Sequence, residues 1–205
     1  MSKGVEFVKK NLKFDLRCTG DLALSSELVD LKKFCPQIRI ELRYATKRNG
    51  VGTVIYPKGA RCLLRKSTAG RLVRVQRRLE KQQLGLKIWD AYRPLSAQKA
   101  LWKVCSDSRF VAPPHRGSLH NRGCAIDLTL VDASGKELAM PCDFDTFSVR
   151  AKVNYTGGLK LSRHNRDTLQ SAMKSCGFVS YSNEWWHFHD PDWSQFRKID
   201  VSLRR

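Results

Sequence analysis

Ser118-Leu119-His120-Asn121-Arg122-Gly123-Cys124-Ala125-Ile126-Asp127-Leu128-Thr129-Leu130 changes character half-way along. Up to Gly123 it is polar and turn-forming. From Cys124 onward apolar residues recur at every second position, the period of a β-strand. Ile126, Leu128 and Leu130 fall on one face of that strand, and Ala125, Asp127 and Thr129 on the other. A loop bearing an imidazole therefore feeds a strand that presents a carboxylate beside small neighbours. Gly123, between them, allows a close backbone approach.

Further along the chain stands Glu184-Trp185-Trp186-His187. His120, Asp127 and His187 together supply two imidazoles and a carboxylate. Three protein ligands of the N and O type, with a fourth position left for water, is the composition of a catalytic zinc site. The tryptophan pair has the bulk to keep such a site dry. Glu184 adds a second carboxylate, and a metal-activated water needs one nearby to take its proton. The bland alternative for Glu184 is an exposed hairpin residue. Residues three apart on a regular strand face opposite ways, so the catalytic reading requires Glu184 to lie in a turn or on a bulge. His115, His164 and His189 belong to no such constellation and are read as non-ligands. Arg93 sits between Tyr92 and Pro94, and the proline restricts it to extended backbone. Its guanidinium suits either an oxyanion or a salt bridge to Asp90; the sequence leaves both open.

Outward from these motifs the chain reads as a single α+β domain spanning 1–205, with residues 1–35 as an N-terminal arm and the core starting near Ile38. A helix is predicted from Ser67 to Leu84, capped by Ser67 or Thr68 and stopped by Gly85. A short strand follows at Leu86–Trp89, then a helix opened by Pro94. A last helix spans Leu161 to Cys176 and ends at Gly177. Phe178–Ser182 and Trp185–His189 form a hairpin around Ser182-Asn183. These elements predict a mostly antiparallel central sheet with helices packed on it.

Composition narrows the partners. The 205 residues carry 38 Lys and Arg against 19 Asp and Glu, a net charge of +19. That balance favours an anionic partner, but the basic residues are dispersed, with no block of five or six like charges. Arg71, Arg74, Arg78 and Lys81 align on one helix face opposite Leu72, Val75 and Leu79, the pattern of a solvated amphipathic helix. Nucleic-acid binding is therefore not expected, and no recognition motif for it is present. Assembly of identical subunits is left open. Seven scattered cysteines without a C-x-x-C pair read as free thiols in a reducing compartment. No apolar run reaches transmembrane length, and the first ten residues lack a secretory core. A cytoplasmic location is expected, or a periplasmic one for a mature, processed form.

With these residues in view, the chain resembles the zinc D-alanyl-D-alanine dipeptidases, within the larger group of D,D-peptidases that share a fold with the hedgehog signalling domain. The resemblance covers about Ile38 to Phe188. It includes Leu42-Arg-Tyr44-Ala-Thr46, Asp90-Ala-Tyr-Arg93-Pro94, the Ser-x-His-x-x-Gly-x-Ala-x-Asp block at 118–127, and Glu184-Trp-Trp-His187. It implies one zinc ion per chain held by His120, Asp127 and His187, with Glu184 as catalytic base and Arg93 stabilising the transition state. It also implies that Tyr44, Ser118 and Asp145 line the substrate pocket, Asp145 holding the ammonium of a D,D-dipeptide. One segment departs from the family: its Asn-Phe after Tyr-Ala-Thr is replaced by Lys47-Arg48-Asn49-Gly50-Val51, which implies a looser pocket edge. The alternatives are a D,D-carboxypeptidase or peptidoglycan endopeptidase on the same scaffold, and a non-catalytic zinc-stabilised binding module.

Overall fold

The strand predicted from the opening block is β5 (Ala125–Asp132), and it is the middle of a five-stranded sheet. The computed structural model describes residues 27–108 and 111–204. Along the chain it runs β1 (Leu28–Asp30), α1 (Leu31–Phe34), β2 (Arg39–Ile40), β3 (Leu63–Arg65), α2 (Lys66–Glu80), β4 (Leu84–Asp90) and α3 (Leu95–Val104). After β5 come α4 (Lys160–Ser175), β6 (Val179–Tyr181) and β7 (Glu184–His189). The sheet order is β2-β4-β5-β7-β6, and β1 pairs separately with β3.

The architecture is α+β. The sheet is mixed rather than purely antiparallel: β4, β5, β7 and β6 pair antiparallel, while β2 runs parallel to β4 at the edge. Helices α2 and α4 pack on one another, and between them they contact β4, β5 and β7. Ile126, Leu128 and Leu130 join Leu72, Val75 and Leu79 of α2 and Leu169 and Met173 of α4 in one buried cluster. Each large side chain so buried contributes roughly 1.5–3 kcal/mol. The second face of β5 is buried as well, so Asp127 and Thr129 are covered rather than open to solvent. A covered carboxylate must find partners, and that need shapes the site.

Three boundaries differ from the sequence expectation. The predicted arm, residues 1–35, lies mostly outside the described residues, but its end belongs to the fold: β1 pairs with β3, and Leu31 and Cys35 are buried in the core. Helix α2 is preceded by Arg65, with no side-chain cap, and Thr68 instead donates to the buried Asp190 carboxylate at 2.9 Å. The helix also stops earlier, at Glu80, because Gln83 takes a left-handed turn with φ 57°. Gly85 is then free to lie inside β4, where the Gln76 amide covers it and accepts from Leu86 N–H at 2.9 Å. Arg74, Arg78 and Lys81 are exposed, as an amphipathic helix requires, whereas Arg71 pairs with Asp190 and Asp192. The six cysteines of the described residues are free thiols; Cys18 lies outside them. No helix is long and apolar enough to cross a membrane among the described residues.

A left-handed, exposed glutamine costs energy that glycine avoids. Gln83→Gly is expected to raise unfolding stability by about 0.5–1 kcal/mol, read from the midpoint of urea denaturation.

Candidate metal centre and active site

Three strands bring the site together by register. Asp90 of β4 stands opposite Asp127 of β5, which stands opposite His187 of β7. The β4 register shifts between Ile88 and Asp90, so Trp89 is an extra residue and Asp90 is carried into the row. A second shift, between Ser180 and Tyr181, leaves Tyr181 opposite Glu184 and Ser180 opposite Phe188. Trp185, Trp186 and His187 occupy the surplus. That bulge removes the parity problem, because Glu184 Oε2 comes within 3.9 Å of His187 Nδ1.

His120 comes from a 3-10 turn, Leu119–Arg122. Ser118 caps it, accepting from His120 N–H, while Asn121 Oδ1 accepts from Ser118 N–H at 2.7 Å. Gly123 ends the turn with φ 74°, and a Cβ there would lie 2.9 Å from Leu28. Asn121 Nδ2 donates to the Arg93 carbonyl at 2.8 Å, and Arg93 N–H donates back to the His120 carbonyl at 3.1 Å. The His120 ring places Nδ1 2.6 Å from the Ala91 carbonyl. A carbonyl only accepts, so Nδ1 carries the proton and the Nε2 lone pair faces the pocket.

His120 Nε2 lies 3.3 Å from His187 Nδ1 and 3.4 Å from Asp127 Oδ2, and Asp127 Oδ1 lies 2.9 Å from His187 Nδ1. Ligands about 2.0–2.1 Å from a tetrahedral zinc stand roughly 3.3–3.4 Å apart. Each imidazole nitrogen reaches a different Asp127 oxygen, and one donor atom from each of the three side chains lies within 4.8 Å of the others, so the three converge on one possible ion position. Burial raises the Asp127 carboxyl, but the His120 and His187 imidazoles outweigh it and hold that carboxyl far below the usual range. Burial likewise disfavours a charged His120, yet Asp127 and Asp90 overcome it and raise its pKa.

Around the triad stand the other predicted residues. Burial pushes Glu184 up to about 7; Asp127 and Asp145 add to the shift and His187 opposes it. Arg93 is buried, donates to Asp90 Oδ2 through Nη2 at 2.7 Å and Nε at 3.2 Å, and reaches Gln98 Oε1 at 3.0 Å. The Asp90 salt bridge is therefore real, and it leaves the other guanidinium protons uncommitted by these bonds. Tyr44 is buried with its ring 4.9 Å from the Arg93 guanidinium, and its hydroxyl donates to Asp145 Oδ2 at 2.9 Å. Asp145 has φ 54°, and burial raises its carboxyl to about 7, with Asp127 adding to the rise. Ser118 is drawn in chiefly as the cap of the His120 turn.

A family model described as D-ala-D-ala dipeptidase matches residues 24–201. The chain belongs to that family. It is 41% identical over 167 residues to the D-alanyl-D-alanine dipeptidase of Escherichia coli K12, covering 82% of this chain and 86% of that protein. It is 32% identical over 190 residues to the D-alanyl-D-alanine dipeptidase of Streptomyces coelicolor, covering 83% and 91%. A similarly named protein of Enterococcus faecalis is 30% identical over 123 residues, covering 51% and 61%. The family is one of metal-dependent peptidases, and the His120, Asp127 and His187 donor set is consistent with that membership.

Within this dipeptidase-family fold the remaining histidines separate cleanly. His115 and His164 are exposed. His189 lies two residues beyond His187, with ring centres 6.1 Å apart; its Nδ1 is buried without a hydrogen-bond partner, and its pKa is pushed down to about 4, first by burial and then by His187. It stands outside the group of converging donor atoms. A surface concavity of about 1220 Å³ beside Arg39, Arg61 and Lys87 contains none of the site residues.

Sequence reasoning underrated Asp90. It is fully buried, and besides Arg93 it accepts from Tyr56 O–H at 2.6 Å and Ala91 N–H at 2.9 Å and lies 3.6 Å from His120 Nδ1. Its signal was the Asp-Ala-Tyr-Arg-Pro segment, in which it served only as a salt-bridge partner. Asn121 and Gln98 were missed because their roles depend on contacts between distant segments.

Metal content gives a direct check. Wild type and His189→Ala should each retain one metal ion per chain after desalting, and His187→Ala should retain none, measured by elemental analysis. A second check uses pH. Asp145 has a folded pKa above its unfolded value, so its burial grows more destabilising as pH rises from about 4 to about 7. In metal-free protein, Asp145→Asn should therefore gain thermal stability over wild type between pH 4 and pH 8, since asparagine tolerates the left-handed backbone.

Proposed function

We propose that this chain is a zinc-dependent hydrolase of the D-alanyl-D-alanine dipeptide. The observation that carries this reading is the β7 bulge, which sets the Glu184 carboxylate beside the His120, Asp127 and His187 donors without making it one of them. A pure metal-binding module has no use for a carboxylate held in that position.

His120, Asp127 and His187 would hold the ion through Nε2, a carboxylate oxygen and Nδ1. Bound there, zinc polarises a carbonyl and makes water acidic enough to react at neutral pH. Glu184 takes the proton of the attacking water and delivers it to the departing amine. Its raised pKa suits both halves of that task near neutrality. Arg93, fixed from behind by Asp90 and Gln98, offers its remaining N–H groups to the oxyanion of the tetrahedral intermediate. Tyr44 packs beneath Arg93 and anchors Asp145, whose carboxylate receives the substrate ammonium.

The Asp145 position also favours a dipeptide over a stem peptide. A longer substrate places an amide where the ammonium would be and leaves a partly buried carboxylate without its partner. A D,D-carboxypeptidase gains nothing from such a group.

The test is release of D-alanine from D-Ala-D-Ala with and without chelator, beside L-Ala-L-Ala and a pentapeptide stem. Chelation should abolish turnover and zinc should restore it. Glu184→Gln should lower kcat by roughly 10²–10⁴-fold with metal content unchanged. Full activity in that variant removes Glu184 from the mechanism, and faster cleavage of the stem than of the dipeptide replaces the dipeptidase reading with the carboxypeptidase one.

A further inference from the structure

Residues 196–203, which follow β7 and its turn, run as a strap along the segment that carries Arg93. Phe196 and Leu203 are buried and anchor its two ends. Between them, three consecutive residues each hold a different neighbour of Arg93. Ile199 N–H donates to the Asn121 carbonyl at 2.9 Å, and Asn121 Nδ2 in turn holds the Arg93 carbonyl. Asp200 Oδ1 accepts from the N–H of Ser96 at 3.0 Å and from its hydroxyl at 2.9 Å. Val201 N–H donates to the hydroxyl oxygen of Tyr92, the residue before Arg93, at 2.6 Å.

The Asp200 contact supplies what α3 lacks. That helix starts at Leu95, directly after Pro94, with no side-chain cap and no acidic residue in its first turn. Its first N–H groups have no partners within the helix, and the positive end of its dipole favours an anion. Asp200 meets both needs from another part of the chain. The turn so capped is also the one that holds Arg93. Gln98, fully buried, donates its N–H to the Pro94 carbonyl at 2.9 Å and accepts from Arg93 Nη1 at 3.0 Å.

We infer that Asp200 is a positioning residue for the reaction: it caps α3 in place of a local residue and, through the first turn of that helix and Gln98, fixes where the Arg93 guanidinium stands. The inference rests on the dipeptidase reading above, in which Arg93 meets the oxyanion. Asp200 is itself exposed and acts only through other residues. A fixed guanidinium matters once the oxyanion forms, so its loss falls on kcat rather than on KM.

Zinc-loaded Asp200→Ala and Asp200→Asn are compared with wild type on D-Ala-D-Ala, and Asp200→Ala is repeated in an Arg93→Ala background with enzyme in excess of substrate. Asp200→Ala should lower kcat about three- to tenfold, with KM within about twofold and metal content unchanged. Asp200→Asn should stay within about twofold of wild type, because its amide oxygen caps as well. In the Arg93→Ala background the same change should alter kcat by less than about twofold, since its route to the reaction is already gone. Amide hydrogen exchange in metal-free protein gives a readout apart from turnover. The Ser96 and Gln98 N–H groups should exchange about three- to tenfold faster in Asp200→Ala, but not in Asp200→Asn. Unchanged kcat or unchanged exchange in Asp200→Ala overturns the inference. So does an equal loss of kcat with and without Arg93, which marks a general loosening of the fold. Wild type inactive on D-Ala-D-Ala overturns the dipeptidase reading and the inference with it, whereas an active wild type with an unmoved Asp200→Ala overturns the inference alone.

Discussion

The site depends on one row of residues across three hydrogen-bonded strands: Asp90, Asp127 and His187. Side chains alternate along a strand, so a one-residue slip of β5 against either neighbour would turn Asp127 to the opposite face. The buried cluster of Ile126, Leu128 and Leu130 opposes that slip, because the same slip would turn all three out of the cluster and put polar side chains in their place. Core packing and metal-site geometry are thus one constraint. The two bulges work within it: one carries Asp90 into the row and the other swings Glu184 towards it.

Charge explains why the row is stable and why it wants a cation. Asp90 is balanced by Arg93 and hydrogen-bonded by Tyr56, so its burial is compensated. Asp127, Asp145 and Glu184 converge with no second guanidinium among the contacts described. Their mutual repulsion shows in the upward shifts of Asp145 and Glu184, to each of which Asp127 contributes after burial. A dication among His120, Asp127 and His187 relieves that repulsion. Removing one partner of a buried pair such as Asp90–Arg93 costs roughly 3–5 kcal/mol, which ties the second layer of the site to stability as well as to chemistry.

Much of this was legible in the sequence, for identifiable reasons. Alternation from Cys124 to Leu130 defines β5, and the imidazole and carboxylate spacings define the candidate ligand set. The condition placed on Glu184, that it lie off the regular strand, is met by the β7 bulge. What could not be read depended on contacts between distant segments. Gln83 gave no warning that it, rather than Gly85, would take the left-handed turn after α2, because the turn position follows from the way Gln76 covers Gly85. The parallel edge strand β2 is two residues long, too short for any periodicity. Burial of Leu31 and Cys35 likewise reflects partners in other elements, not a local pattern.

The central claim is that register and one turn deliver three donor atoms to a single ion. Anomalous scattering from zinc-loaded crystals, collected on both sides of the zinc absorption edge, tests it most directly. The account predicts one peak per chain, bounded by His120 Nε2, His187 Nδ1 and the Asp127 carboxylate, with Glu184 and His189 outside the coordination sphere. A peak ligated by His189 or by Glu184, or the absence of any peak at the triad, would contradict it.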